Sequence, residues 1–321
     1  MKGLTDIPGI RVGHVSDYEA LTGCTVILCE AGAAAGCDIR GAATGTEEFD
    51  LLSPLHLTER IHAVVLAGGS AFGLEAASGV RRYLEQKGVG FATGAARVPL
   101  VVGAILYDLG IGKSNVRPTR EMGEAAAAAA TADAVREGCI GAGTGATVGK
   151  VFGMSRAMKS GIGSATVPLQ GPYAGVLVSA LAAVNAAGDV IDPSTGKVLA
   201  GARRSTTSSE FAGAAEALKR GVRGGVLNPK ENTTLVVVAT NARLAKPHAT
   251  KLAQMASAGM ARAISPVFTM SDGDVIVALS VGDAKADLNA LGAAAAEAVA
   301  ESIVRAVKNA RTMGGVPGLA G

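Results

Sequence analysis

Asn232-Thr233-Thr234-Leu235-Val236-Val237-Val238-Ala239-Thr240 places a hydroxyl residue directly after an asparagine and at the head of a β-branched apolar run. The run has the length and composition of a buried strand. Just upstream, Gly221-Val222-Arg223-Gly224-Gly225-Val226-Leu227-Asn228-Pro229 is a loop of turn formers. A flexible loop, an Asn-Thr bond and a core strand together are what a self-cleaving precursor requires. The loop lets the peptide bond be approached, and the strand holds the threonine still. Once freed, that threonine would carry a hydroxyl nucleophile beside its own α-amine, which titrates near ~7.7 and can act as its base. A threonine that merely opens a strand fits the same nine residues, since Thr is a common strand residue.

The rest of the chain sets the frame. Its 321 residues, 49% hydrophobic, are enough for a large core in one or two domains. With 44 Gly, no Trp and 3% aromatics, that core must be built from Ala, Val, Leu and Ile packed closely. The net charge is +3 and the basic residues are dispersed, which argues against a nucleic-acid partner. The Ala-rich segments are broken by Glu, Asp or Arg before reaching membrane-spanning length. The opening Met1-Lys2-Gly3-Leu4-Thr5-Asp6-Ile7-Pro8 lacks the apolar stretch of a signal peptide. Cys24, Cys29, Cys37 and Cys139 have no CxxC spacing, so reduced thiols in a cytoplasmic protein are expected.

Apolar runs alternate with Ala-rich stretches, the pattern of a layered α/β protein. Strands are expected at Cys24–Cys29, Ala63–Ala67, Val98–Leu106, Thr147–Phe152, Gly175–Val184, Thr234–Thr240 and Val275–Ser280. Helices are expected at Phe72–Lys87, Arg120–Glu137, Ser208–Arg220, Pro247–Ile264 and Asn289–Val307, the last capped by Asn289. Residues 190–205 read as a turn or short hairpin, and 203–232 as an exposed linker before the Asn-Thr bond.

Several motifs can be weighed by their spacing. Gly141-Ala142-Gly143-Thr144-Gly145-Ala146-Thr147-Val148-Gly149-Lys150 fails as a Walker A loop, because Thr144 stands where a glycine is needed and Val151 follows the lysine. It predicts a tight turn into a strand, with Lys150 at that strand's edge or on the solvated surface. Gly68-Gly69-Ser70-Ala71-Phe72-Gly73 fails as a nucleophile elbow, because Phe72 occupies the second glycine position. A helix start whose glycines allow close backbone packing fits it better. His14, His56, His62 and His248 form no metal-spaced group. Ser271-Asp272-Gly273-Asp274 puts two acids just before an apolar strand, either as a plain turn or to orient a hydroxyl or hold an amine. Asn185 ends the apolar segment 176–184, where it can cap a turn or donate to an oxyanion.

With these residues in view, the sequence resembles the DmpA-type L-aminopeptidase/D-esterase family, peptidase family S58. This family includes the β-aminopeptidases and the endo-acting nylon-oligomer hydrolases. The likeness runs over nearly the whole chain. Its blocks are residues 4–14, Arg40-Gly41-Ala42-Ala43-Thr44-Gly45-Thr46, residues 65–74, residues 143–150, Asn232-Thr233-Thr234 and residues 271–274. It implies a four-layer α-β-β-α sandwich, similar in its layers to N-terminal-nucleophile hydrolases. It also implies one intertwined domain cut into a larger fragment, 1–232, and a smaller one, 233–321. By position, Thr233 would be the nucleophile, Asn232 the other side of the cut bond and Asn185 the oxyanion donor. Asp272 and Asp274 match the acidic pair of the nylon-oligomer branch, and Lys150 and Tyr107 its remaining active-site side chains, with Lys159 a rival for the lysine role. The aminopeptidase members carry Ser as nucleophile and a Ser-x-Glu pair instead, which leaves the substrate open among L-aminoacyl, β-aminoacyl, D-ester and oligoamide compounds.

The expectation is therefore a self-processing hydrolase of small amides or esters, needing no cofactor or metal. It is further expected to be cytoplasmic and a homo-oligomer of tetramer size or larger. Two other functions fit the same residues: an acyltransferase related to the self-cleaving ornithine acetyltransferases, and an uncut, non-enzymatic member of the fold.

Overall fold

The computed structural model describes residues 1–222 and 232–320. The loop expected to precede the Asn-Thr bond lies mostly in 223–231, outside the described residues. Nine strands form one hydrogen-bonded sheet: β1 (Arg11–Asp17), β2 (Thr22–Ile39), β3 (Gly45–Glu47), β4 (Ile61–Ala67), β5 (Val101–Ile105), β6 (Ile162–Pro168), β7 (Leu177–Asn185), β8 (Thr233–Ala242) and β9 (Val275–Ala284). Their order is β6-β7-β8-β9-β2-β4-β5-β3, with β1 also paired to β2.

The 18-residue β2 makes this path into a sandwich. Its first half pairs with β1 and β4, its second half with β9, and the register breaks between Leu28 and Ala33. A strand interrupted in this way bends, and the two halves of the path fold face to face. Ile27, Val64, Leu66 and Val102 from one half then pack with Leu181, Leu235, Val237 and Val277 from the other. The outer faces are covered by helices: α1 (Glu75–Gln86) and α2 (Arg120–Ala128) on one side, α4 (Lys246–Ala263) and α5 (Leu288–Lys308) on the other. A short α3 (Ala214–Lys219) sits apart, against Val151. The expected four layers are present. Because β8 has helix on one face and sheet on the other, both of its faces are apolar, which explains its unbroken Leu-Val-Val-Val-Ala run.

Alanine and glycine bring the helices within backbone contact. A Cβ on Gly123 of α2 would fall 1.9 Å from the Ala76 carbonyl oxygen of α1, and one on Gly259 of α4 would fall 2.2 Å from the Ala296 carbonyl oxygen of α5.

Several expected elements are corrected. Helix α2 stops at Ala128 rather than Glu137, because Thr131 exchanges backbone hydrogen bonds with Val12 of β1. The cap of α5 is Asp287, whose carboxylate accepts from the Asn289 and Ala290 amides; Asn289 lies inside the helix. A carboxylate suits a helix N-terminus better than an amide, since it also meets the positive end of the dipole. The helix expected over 208–220 shrinks to α3, and the supposed linker is partly docked. Asp189 accepts from the amides of Ala202 and Ala214 at 2.7 and 2.6 Å. The hairpin expected at 190–205 is present, pairing Asp189–Ile191 with Val198–Ala200. Strands β1, β3 and β6 had no clear apolar signal.

Filling the α1–α2 contact should be costly. Gly123→Val is expected to lower unfolding free energy by about 3 kcal/mol, the upper range for overpacked sites, as measured by urea denaturation. Stability within 0.5 kcal/mol of wild type would show that these helices do not need backbone contact.

Candidate active site

Antiparallel pairing of β7 and β8 places Asn185 directly across from Thr233. Parallel pairing of β8 and β9 brings the turn before β9 to the same end of the sheet, where Asn232 forms a bridge with Asp272. Asn232 and Thr233 are therefore held in the sheet and are almost fully buried.

The bond between them is closely bracketed. The Thr233 hydroxyl donates to the Asn232 carbonyl oxygen at 2.5 Å, and the Gly273 amide donates to that same oxygen at 2.8 Å. Gly273 has to be glycine here, for a Cβ would lie 2.6 Å from Thr233 Oγ1. One residue on, the Thr234 amide donates to Asp274 Oδ1 at 2.7 Å. The second oxygen of Asp274 accepts from the Phe268 amide. Asp272 closes its own turn by accepting from the amide and hydroxyl of Thr269, and the Ala187 amide reaches its other oxygen at 3.4 Å.

Both acids are buried. Loss of solvent and then the neighbouring charge of Asp272 push the Asp274 carboxyl up to about 7, against the pull of its two amide donors and of Lys150. Asn185 is fully buried and anchored at both ends of its amide. Its Nδ2 donates to the Tyr107 carbonyl at 2.8 Å, and its Oδ1 accepts from Lys150 Nζ at 2.8 Å and from the Thr147 amide at 3.1 Å. Lys150 also donates to the Asn185 main-chain carbonyl. Tyr107, Thr147, Lys150 and Met154 line a cavity of about 20 Å³ beside this network, room for about one water.

Thr233, Asn232, Asn185, Lys150, Asp272 and Asp274 thus form one cluster, and Tyr107 joins it through its main-chain carbonyl and the cavity wall. Lys150 is not on a strand edge. The strand ends at Val148, Gly149 turns with φ 72°, and Lys150 opens a buried helical turn over Lys150–Phe152. Any side chain at position 149 would also meet the Ala202 amide, at 2.1 Å for its Cβ. Lys159 lies elsewhere: its ammonium donates to the Ala146 and Ser160 carbonyls, and complete burial lowers it to about 8. Ser70 starts a helical turn with φ 55° and does not enter the network around Thr233 among the described residues. No group of three or more His, Cys, Asp or Glu placed to hold a metal occurs among those residues either. The sequence reading missed the Gly273 amide and Thr147, for main-chain donors leave no residue-type signal.

The profile of peptidase family S58 matches residues 2–320. The chain belongs to peptidase family S58. A Mycobacterium tuberculosis protein named as an uncharacterised aminopeptidase is 39% identical, the match covering 99% of this chain and 96% of that one. A 6-aminohexanoate-oligomer endohydrolase of Kocuria sp. is 30% identical over 94% of this chain and 85% of its own. Among solved structures, the L-aminopeptidase D-Ala-esterase/amidase of Ochrobactrum anthropi superposes with a TM-score of 0.74 at 20% identity, covering 98% of this chain and 88% of that one. Its described fold, a variant of the Ntn-hydrolase fold, is that of the present S58 member. As an S58 peptidase the chain is a hydrolase that acts on amide bonds. No helix among the described residues is long and apolar enough to cross a membrane.

The raised carboxyl makes stability depend on pH. A folded-state value near 7 against an ordinary 3.8 means the folded chain keeps a proton that the unfolded chain releases. The contribution of this group to stability is then full below about pH 4 and falls as pH rises towards 7. Urea unfolding of an uncut Thr233→Ala chain between pH 4.5 and 7.5 is expected to show this fall. Adding Asp274→Asn should flatten it, and an unchanged slope would refute the assignment.

Proposed function

We propose that Thr233 is the nucleophile of a self-processing S58 amide hydrolase. The observation that carries this reading is the bracketed carbonyl: the Thr233 hydroxyl at 2.5 Å and the Gly273 amide at 2.8 Å meet on the Asn232 oxygen. Attack of Oγ1 on the Asn232 carbonyl carbon places negative charge on that oxygen, where a fixed amide donor already points. The C–N bond then breaks, the nitrogen takes up a proton, and the acyl group rests on Oγ1 as an ester. Water releases it, leaving residues 1–232 and a fragment that begins at Thr233.

In the processed enzyme the new α-amine, with an ordinary pKa near ~7.7, takes the hydroxyl proton as substrate is attacked. Asn185, directly across the strand pair, supplies an amide donor for the substrate's oxyanion, and Lys150 fixes that amide's orientation. The Asp274 carboxyl, which accepts from the Thr234 amide at 2.7 Å, is one residue along the chain from that amine. We take the substrates to be short amides, of the aminoacyl class that the aminopeptidase relative is named for or the oligoamide class that the endohydrolase relative is named for. Four free thiols are in keeping with a cytoplasmic setting. Leu55 and Leu57, at 95 and 86% exposure, favour a homo-oligomer of processed units.

Denaturing mass spectrometry tests the cut. Wild type is expected to give fragments of about 23 and 9 kDa, the shares of 31.8 kDa carried by residues 1–232 and 233–321. Thr233→Ala should remain one inactive chain, and Thr233→Ser should still divide. Division of Thr233→Ala before position 233 would overturn the assignment. For the mature enzyme, Asn185→Ala is expected to lower kcat on aminoacyl p-nitroanilides about a hundredfold, the usual loss for one oxyanion donor at ~3 kcal/mol.

A further inference from the structure

We infer that Asp108 is a positioning residue of this active site, acting through Tyr107 on the Asn185 amide. The proposal deepens the reading above, since it rests on Asn185 being the oxyanion donor. Asp108 directly follows Tyr107, whose carbonyl accepts the Asn185 Nδ2 hydrogen bond at 2.8 Å. This turn lies just past the end of β5, where Leu106 still exchanges backbone hydrogen bonds with Ala67 and Ser70.

The Asp108 carboxylate adds two side-chain anchors. One oxygen accepts from the Thr22 hydroxyl at 2.7 Å and the other from the Gly69 amide at 2.7 Å. These two anchors stand at the start of β2 and just past the end of β4, so the turn is tied to two neighbouring strands of the sheet. The surroundings are shaped around this side chain. A Cβ on Gly68 would lie 2.0 Å from Asp108 Oδ2, and one on Gly145 would lie 2.5 Å from Asp108 Cβ. The residue is 5% exposed, and burial pushes its carboxyl up to about 6 against the pull of the Gly69 amide and the Thr22 hydroxyl. A buried carboxylate is costly to keep, and a turn that only had to be compact would not require one. A misplacement of about 1 Å at a catalytic donor costs as much as a hundredfold in rate.

The test uses the processed enzyme. Asp108→Asn keeps the shape but exchanges an acceptor oxygen for a donor facing Thr22 or Gly69. It is expected to lower kcat about tenfold with KM within twofold of wild type, while the chain still divides and melts cooperatively. Thr22→Val, which removes one anchor without touching the acid, should give a smaller loss of the same kind, and Thr22→Ser should restore kcat. In an Asn185→Ala background, Asp108→Asn should have little further effect, because both changes act on one donor. A folded Asp108→Asn enzyme with wild-type kcat, or losses that simply multiply with those of Asn185→Ala, would overturn the proposal. If Asn185→Ala itself turns over at the wild-type rate, it is the assignment of Asn185 that fails.

Discussion

Strand β8 is hydrogen-bonded along both edges, antiparallel to β7 and parallel to β9. This double pairing removes the freedom of its first residue. Thr233 has Asn185 on one side, and the Asp272-Gly273-Asp274 turn on the other. Each group of the candidate site therefore comes from the end of a buried strand or the turn next to one. Main-chain groups in such places are fixed by the sheet itself, with no side-chain entropy to lose when they are used.

That rigidity has an electrostatic cost. Asp108 and Lys150 line one small cavity, and Asp108, Lys150, Lys159 and Asp274 are all buried. Ions taken out of water are tolerated only when partners replace the lost solvation. Here main-chain amides and carbonyls do much of this, from Thr234 and Phe268 to Asp274, from Gly69 to Asp108 and from Lys159 to Ala146 and Ser160. The carboxyls remain displaced upwards all the same, Asp108 to about 6 and Asp274 to about 7, with burial as the leading cause.

Much of this was legible in the chain. The apolar runs of β4, β7, β8 and β9 and the periodicity of α4 and α5 announce themselves, because elements buried on one or both faces must be apolar at fixed intervals. The Asn232-Thr233 bond and the Asp-Gly-Asp turn stand out for the same reason: polar residues at the mouth of apolar strands need a purpose. Less visible were β1 and β6, whose residues mix Gly, Ser and Thr and whose pairing is decided by distant partners. Lys150 was misplaced because the left-handed Gly149 ends its strand at Val148, four residues before the expected end at Phe152. The roles of the Gly273 amide and the Tyr107 carbonyl belong to the backbone, which every residue possesses, so no alphabet of side chains records them.

The placement of β8 has a consequence for the life of the molecule. Residues 233–320 contribute β8, α4, β9 and α5, so the smaller piece would be wedged between β7 and β2 in the middle of the sheet. Scission before Thr233 would therefore divide the covalent chain while exposing almost no new surface, and the halves would stay interleaved. Once thermally separated, however, they would have to find one another in solution, a second-order encounter that the newly made polypeptide never faced. Such a protein would be assembled once: its connectivity would be a scaffold used during folding and then discarded, and its durability afterwards would be set by how slowly it opens.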